Sequence, residues 1–152
     1  MPEPLPWAQA FRGLPVEGLD QLVAEARKRT FRPGGHLMRQ GDAADCLYVI
    51  VRGRVRVERT HPALTAPLVL AELGRGELVG EMGLLDGGPR SATVTAVEQT
   101  EALEVATETL TRILAQYPGA AKGLLGQMAR RLRTTDDLVE EMARGGHPLS
   151  AA

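Results

Sequence analysis

The 152-residue chain has a single cysteine, Cys46, and so can neither close a disulfide within itself nor ligate an iron–sulfur cluster through cysteines. Such a residue is most often a small buried apolar one, and the sequence gives it no role. Lysine is scarce as well, confined to Lys28 and Lys122, an arginine bias that fits a GC-rich genome. No apolar run approaches the roughly eighteen residues that span a bilayer, and Met1-Pro2-Glu3-Pro4 lacks the basic start and apolar stretch of a secretory signal. The expectation is a soluble, cytoplasmic protein without a membrane partner. His36, His61 and His147 stand apart in polar or turn contexts, without metal-ligand spacing, so no metal site and no catalytic residue can be named. A formal net charge of −1 excludes broad attraction to a phosphate backbone.

What is present is enough for one domain over residues 1–152, with 43% hydrophobic and 24% charged residues. Val16, Leu19, Leu22, Val23 and Ala26 recur at helical spacing after Pro15 and predict a short amphipathic helix over 16–29. The period then changes to two. Cys46, Tyr48 and Ile50 fall on one side and Leu47, Val49 and Val51 on the other, predicting a strand buried on both faces. Gly53 separates it from a half-exposed strand in which Val55 and Val57 alternate with charges, and further strands are expected over 68–73, 92–97 and 102–105. The β region thus occupies about 30–106. Helical spacing returns with Leu110, Ile113 and Leu114 up to Tyr117-Pro118, and a longer helix is expected over about 119–142.

In that last helix Ala121, Leu125, Met128, Leu132, Thr135, Val139 and Met142 step alternately by four and three, which is a heptad seam. It predicts either one helix face packed on its own domain or a parallel two-chain coiled coil, the sustained spacing favouring a homodimer. Arg130, Arg131 and Arg133 flank the seam as a solvated face from which one could reach a ligand.

The chemistry concentrates between Gly76 and Val94. Gly80 permits close backbone approach, and Glu81 to Leu85 can form a short helical turn with free N–H groups. Arg90 supplies a planar fork for two phosphate oxygens, Ser91 adds a hydroxyl donor, and Pro89 restricts the backbone leading in. Glu81 would be repelled by a phosphodiester unless it accepts a bond elsewhere, as from a ribose hydroxyl. The segment therefore reads as a site for a small ligand carrying both phosphate and ribose, or else as a plain Glu81–Arg90 ion pair.

The order Gly-Glu, small turn, Pro-Arg-Ser-Ala-Thr-Val resembles the phosphate-binding cassette of the cyclic-nucleotide-binding domain family. The resemblance extends to Leu47-Tyr48-Val49-Ile50-Val51-Arg52-Gly53 upstream and Gln127-Met128-Ala129-Arg130-Arg131-Leu132 downstream, which are similar to the bacterial catabolite-activator sensor domain. It implies a mostly β fold with flanking helices, a β-roll (a jelly-roll-like barrel) followed by a long C-terminal helix. It implies that Arg90 and Ser91 bind a cyclic phosphate with Ala92 and the backbone at Gly80 and Met82 nearby. Glu81 would take the ribose 2′-hydroxyl, and the base would lie near Val57, Leu70 and Val79. Thr135 matches the family's base-reading threonine, and Arg131 a basic residue facing the base. Asp136 departs from the serine of the catabolite activator, which bears on whether cyclic AMP or cyclic GMP is bound; Ser91 matches the cyclic-AMP pattern. The activator's winged helix-turn-helix has no counterpart before the chain's last residue, Ala152. The expected function is that of a cyclic-AMP-favouring sensor without a cofactor or direct DNA binding, acting through an unknown effector protein. The alternatives are the sensor fragment of a transcription factor, or a cupin-like enzyme whose metal ligands are missing here.

Overall fold

A computed structural model describes residue 11, residues 13–80, residues 88–122 and residue 124. Helix α1 (Val16–Glu25) opens the described chain. Eight strands follow: β1 (Arg27–Phe31), β2 (His36–Met38), β3 (Cys46–Arg52), β4 (Arg54–Arg59), β5 (Leu68–Gly74), β6 (Leu78–Val79), β7 (Thr93–Ala96) and β8 (Thr100–Ala106). Helix α2 (Thr107–Gln116) comes next, and helical residues resume at 118. The strands form two four-stranded antiparallel sheets, ordered β1-β8-β3-β6 and β2-β7-β4-β5. This is the mostly β architecture with flanking helices that the sequence implies, built from two sheets rather than one closed barrel.

The central strand β3 explains how two layers of core arise from one segment. Successive side chains of a strand point to opposite faces. Leu47 and Val49 join a cluster with Leu22 of α1 and Leu110 and Ile113 of α2, whereas Tyr48 and Ile50 join a second cluster with Val55, Val79, Val94 and Ala96 between the sheets. Each fully buried aliphatic side chain of this kind stabilises the fold by about 1.5–3 kcal/mol. The sheets are joined at Gly53, whose φ of +106° suits glycine. A Cβ there would lie 2.5 Å from the Thr100 hydroxyl and 2.6 Å from the Gln99 carbonyl, so the turn between β3 and β4 can close only without a side chain.

The junction between the first helix and the β region differs from expectation. The first helix ends at Glu25 rather than at residue 29, because Arg27–Phe31 pair residue for residue with Glu104–Thr100 of β8. The β region accordingly begins at Arg27. Strands β2 and β6 are too short to show a period in sequence. The long helix expected over 119–142, with its heptad seam from Leu125 onward, lies outside the described residues. Among the described residues no helix is long and apolar enough to cross a membrane.

Candidate functional site

Arg90 is the chemical centre of the described interior. It is a cation with only 6% of its surface exposed, and burying a charge without compensation costs several kcal/mol. Its backbone is fixed first: Arg90 N–H donates to the Asp42 carbonyl at 2.7 Å, and Gly41 N–H donates to the Arg90 carbonyl at 2.9 Å. The β2–β3 turn that provides these partners is itself tied down. Gln40 N–H donates to Thr93 Oγ1 at 2.9 Å, and the Gln40 side-chain amide pairs with the Thr60 backbone in both directions, at 2.8 and 3.0 Å. The side chain then runs inward, where Nη1 donates to the Gly80 carbonyl at 3.0 Å and Nη2 donates to Cys46 Sγ at 3.3 Å.

Both acceptors are uncharged. Burial pushes the Cys46 thiol above its ordinary ionisation range, outweighing the opposing pull of the Arg90 charge. Among the described residues, then, the guanidinium is held in place but not neutralised. An anion delivered to it would meet a pre-aimed, desolvated donor, the arrangement in which charge-assisted bonds are strongest.

Gly80, at the end of β6, makes this packing possible. Its φ is +86°, and a Cβ there would sit 2.6 Å from Arg90 Nη1 and 2.6 Å from Met38 Cε. Absence of a side chain lets the arginine fork lie against the backbone. A cavity of about 340 Å3 opens on the Cys46 side of the fork, walled by Arg90, Cys46, Tyr48, Met38 and Glu104 among others. Burial holds Tyr48 in its neutral form well above the usual phenol range.

The structure brings Gly80 and Arg90 into direct contact, with buried Ala92 and half-buried Ser91 following on the same segment. Val79 belongs to the inter-sheet cluster, and Val57 packs against that cluster. Leu70 is the extra residue of a β-bulge: Val57 pairs with Ala71 and Glu58 with Val69, leaving Leu70 between them on β5. Among the described residues Val57, Leu70 and Val79 do not line the cavity beside Cys46. Glu81, Met82, Arg131, Thr135 and Asp136 lie outside the described residues. Cys46 carries more than the sequence assigned to it. Its place on the Tyr48 and Ile50 side of the period-two pattern was the available signal that it faces inward. Among the described residues no group of three or more His, Cys, Asp or Glu side chains could hold a metal ion.

Comparison with known proteins agrees with this architecture. The chain is similar to the Cyclic AMP receptor protein of Thermus thermophilus, with 40% identity over 126 residues that cover 83% of this chain and 58% of that protein. Among solved structures it resembles the Thermus thermophilus Catabolite Activator Protein, with a TM-score of 0.75 and 38% identity over 88% of this chain and 62% of that one. It also resembles the regulatory domain of Toxoplasma gondii PKA with cAMP, with a TM-score of 0.70 and 26% identity over 77% of this chain and 44% of that one. The chain spans 58% to 63% of the length of the first curated relatives it matches. The family model described as Cyclic nucleotide-binding domain matches residues 28–117, and with the fold and the Gly80–Arg90 contact in place the chain belongs to the cyclic nucleotide-binding domain family.

Proposed function

We propose that this chain is a cyclic-nucleotide sensor that prefers cyclic AMP to cyclic GMP and works by binding rather than by catalysis. The observation that carries the reading is the buried Arg90 fork held by uncharged acceptors, since a desolvated cation of this kind gains most from a ligand that arrives as an anion. Arg90 and Ser91 take the cyclic phosphate, with Ala92 and the backbone at Gly80 and Met82 around it, and Glu81 accepts the ribose 2′-hydroxyl. Val57, Leu70 and Val79 form the apolar side of the base site. Thr135 and Arg131 contribute from the C-terminal helix, and Asp136 weighs on the choice of base. No cofactor takes part.

The output runs through a homodimer formed along 119–142 and an effector protein, in the cytoplasm, without direct DNA contact by these residues. A second reading makes the chain the sensor portion of a transcription regulator. It is favoured by the similarity to a Mycobacterium tuberculosis relative named as a CRP-like cAMP-activated global transcriptional regulator, with 28% identity over 63% of that protein. The intact mass of the protein isolated from its own cells separates the two.

Calorimetric titration of the parent and of Arg90→Ala with cyclic AMP and cyclic GMP tests the site. Loss of a charge-assisted bond worth ~1.5–3 kcal/mol predicts a roughly tenfold or greater loss of affinity. Unchanged affinity for both nucleotides in a folded variant would remove Arg90 from the phosphate site.

A further inference from the structure

Arg90 lies outside both sheets, ahead of β7, which begins at Thr93. Both of its main-chain groups are bonded instead to the turn that follows β2, through the Asp42 carbonyl at 2.7 Å and the Gly41 N–H at 2.9 Å. The guanidinium reaches Gly80 and Cys46 only from where that turn sets its backbone. The turn closes on itself through Asp42 N–H and the Arg39 carbonyl at 3.1 Å, and Gln40 fastens it outward on two sides. Its N–H donates to Thr93 Oγ1 at 2.9 Å. Its side-chain amide lies along the Thr60 backbone like a short piece of strand. Thr60 N–H donates to Oε1 at 2.8 Å, Nε2 donates to the Thr60 carbonyl at 3.0 Å, and Thr60 Oγ1 adds a bond to Oε1 at 3.1 Å.

Thr60 directly follows β4, a strand paired with β7 on one side and β5 on the other. The Gln40 amide thus joins the turn that holds Arg90 to the end of a strand inside the second sheet. We propose that Gln40 is a positioning residue for the ligand phosphate, a clamp that sets where the Arg90 fork stands. The inference rests on the assignment of Arg90 to that phosphate.

The chemistry of the clamp is specific to glutamine. One side chain must accept from the N–H and donate to the C=O of the same residue, which an amide does. Asparagine carries the amide one methylene short of both groups, and methionine has the length without donor or strong acceptor. The proposed base wall does not depend on the clamp, because Val57 is held by its ladder partners Val94 and Ala71 and Val79 by Tyr48. Loss of the clamp therefore moves the fork against the phosphate and leaves the base side in place.

The two exocyclic oxygens of a cyclic phosphodiester are not equivalent, so a fork in a fixed position discriminates between the Rp and Sp phosphorothioate analogues of cyclic AMP. The ratio of cyclic-AMP to cyclic-GMP affinity reads the base instead. The experiment is calorimetric titration of the parent, Gln40→Met, Gln40→Asn and Arg90→Ala with these four ligands, with a melting temperature for each protein. Gln40→Met and Gln40→Asn are expected to lose about three- to tenfold in cyclic-AMP affinity and to change the Rp to Sp ratio by about threefold or more, with the cyclic-AMP to cyclic-GMP ratio within about twofold of the parent. Parental affinity in Gln40→Met would overturn the clamp. So would equal losses for all four ligands, because a merely structural role weakens them alike, and so would a parent without any Rp to Sp preference. If Gln40→Met does not fold, Gln40→Asn decides the matter by the same criteria; failure of both to fold makes Gln40 a residue of the fold rather than of the fork and overturns the inference. A parent that binds neither cyclic nucleotide, or an Arg90→Ala variant that binds both as the parent does, overturns the phosphate assignment and the clamp with it. A parent that binds, with Arg90→Ala impaired and the Gln40 variants indifferent, overturns the clamp alone.

Discussion

Replacing Gly80 with alanine perturbs the Arg90 site through one added methyl group. Two costs combine. The first is conformational, since a residue with a Cβ at φ +86° pays roughly 1–2 kcal/mol for the left-handed backbone. The second is steric, because the new carbon would stand 2.6 Å from Arg90 Nη1 and 2.6 Å from Met38 Cε. Arg90 cannot withdraw freely, for Nη1 is bonded to the carbonyl of Gly80 itself at 3.0 Å. Breaking a hydrogen bond of a charged group adds about 1.5–3 kcal/mol, so the total loss of stability is expected at about 2.5–5 kcal/mol. Gly34→Ala is the matched control: its φ is +84°, yet a Cβ there meets nothing within 4 Å, so only the conformational cost of about 1–2 kcal/mol applies. Urea denaturation measures both losses, and calorimetric titration with cyclic AMP measures the functional effect. Gly80→Ala should bind roughly tenfold or more weakly, while Gly34→Ala keeps the parental affinity. Equal destabilisation and equal affinity in the two variants would refute the placement of the Arg90 fork against Gly80.

Leu132→Glu places a carboxylate on the heptad seam, where it would face its own copy, and should convert a sedimenting dimer to a monomer; a parent that is itself monomeric at tens of micromolar would rule out the coiled coil. Asp136→Ser tests base choice: if the aspartate reads guanine, cyclic GMP affinity falls roughly tenfold or more while cyclic AMP changes little, and equal small changes take Asp136 out of the site. The raised Cys46 ionisation gives a pH dependence of definite sign. Below the ordinary thiol value near 9.0 the group is neutral in both the folded and the unfolded chain, and above it the unfolded chain ionises first, so stability falls as pH rises toward the folded value. Urea midpoints should therefore decline more steeply above pH 9.0 in the parent than in Cys46→Ser, and parallel declines would contradict burial of the thiol.

The parts of the fold that could be read in advance are those where local pattern and tertiary environment agree. The doubly apolar alternation of β3 marked a strand with two buried faces, and Leu110 and Ile113 marked the buried side of α2. Arg27–Phe31 was not legible as a strand, because only Phe31 in it is buried and the helical spacing ran on into it from Val23 and Ala26. Its conformation is set by β8, more than seventy positions away for most pairs, which no local window contains. The site divides the same way. The cassette spelled out Gly80 and Arg90 as neighbours of an anion, but the burial of a charged Arg90 and its bond to Cys46 depend on strands brought together by the sheets. A single cysteine in a period-two run announces only which way it points.

The two faces of β3 also separate the interior between the sheets from the layer of helices outside them. Leu47 and Val49 answer to the helices, while Cys46, Tyr48 and Ile50 answer to the interior of the roll, and the strand backbone stands between them. Residues that share no partners contribute nearly independently to stability. Exchanges on the even-numbered side can thus repack the inter-sheet interior while the odd-numbered side keeps the helical layer seated. A strand of this kind works as a party wall, and the tenant on one side can be changed without disturbing the other.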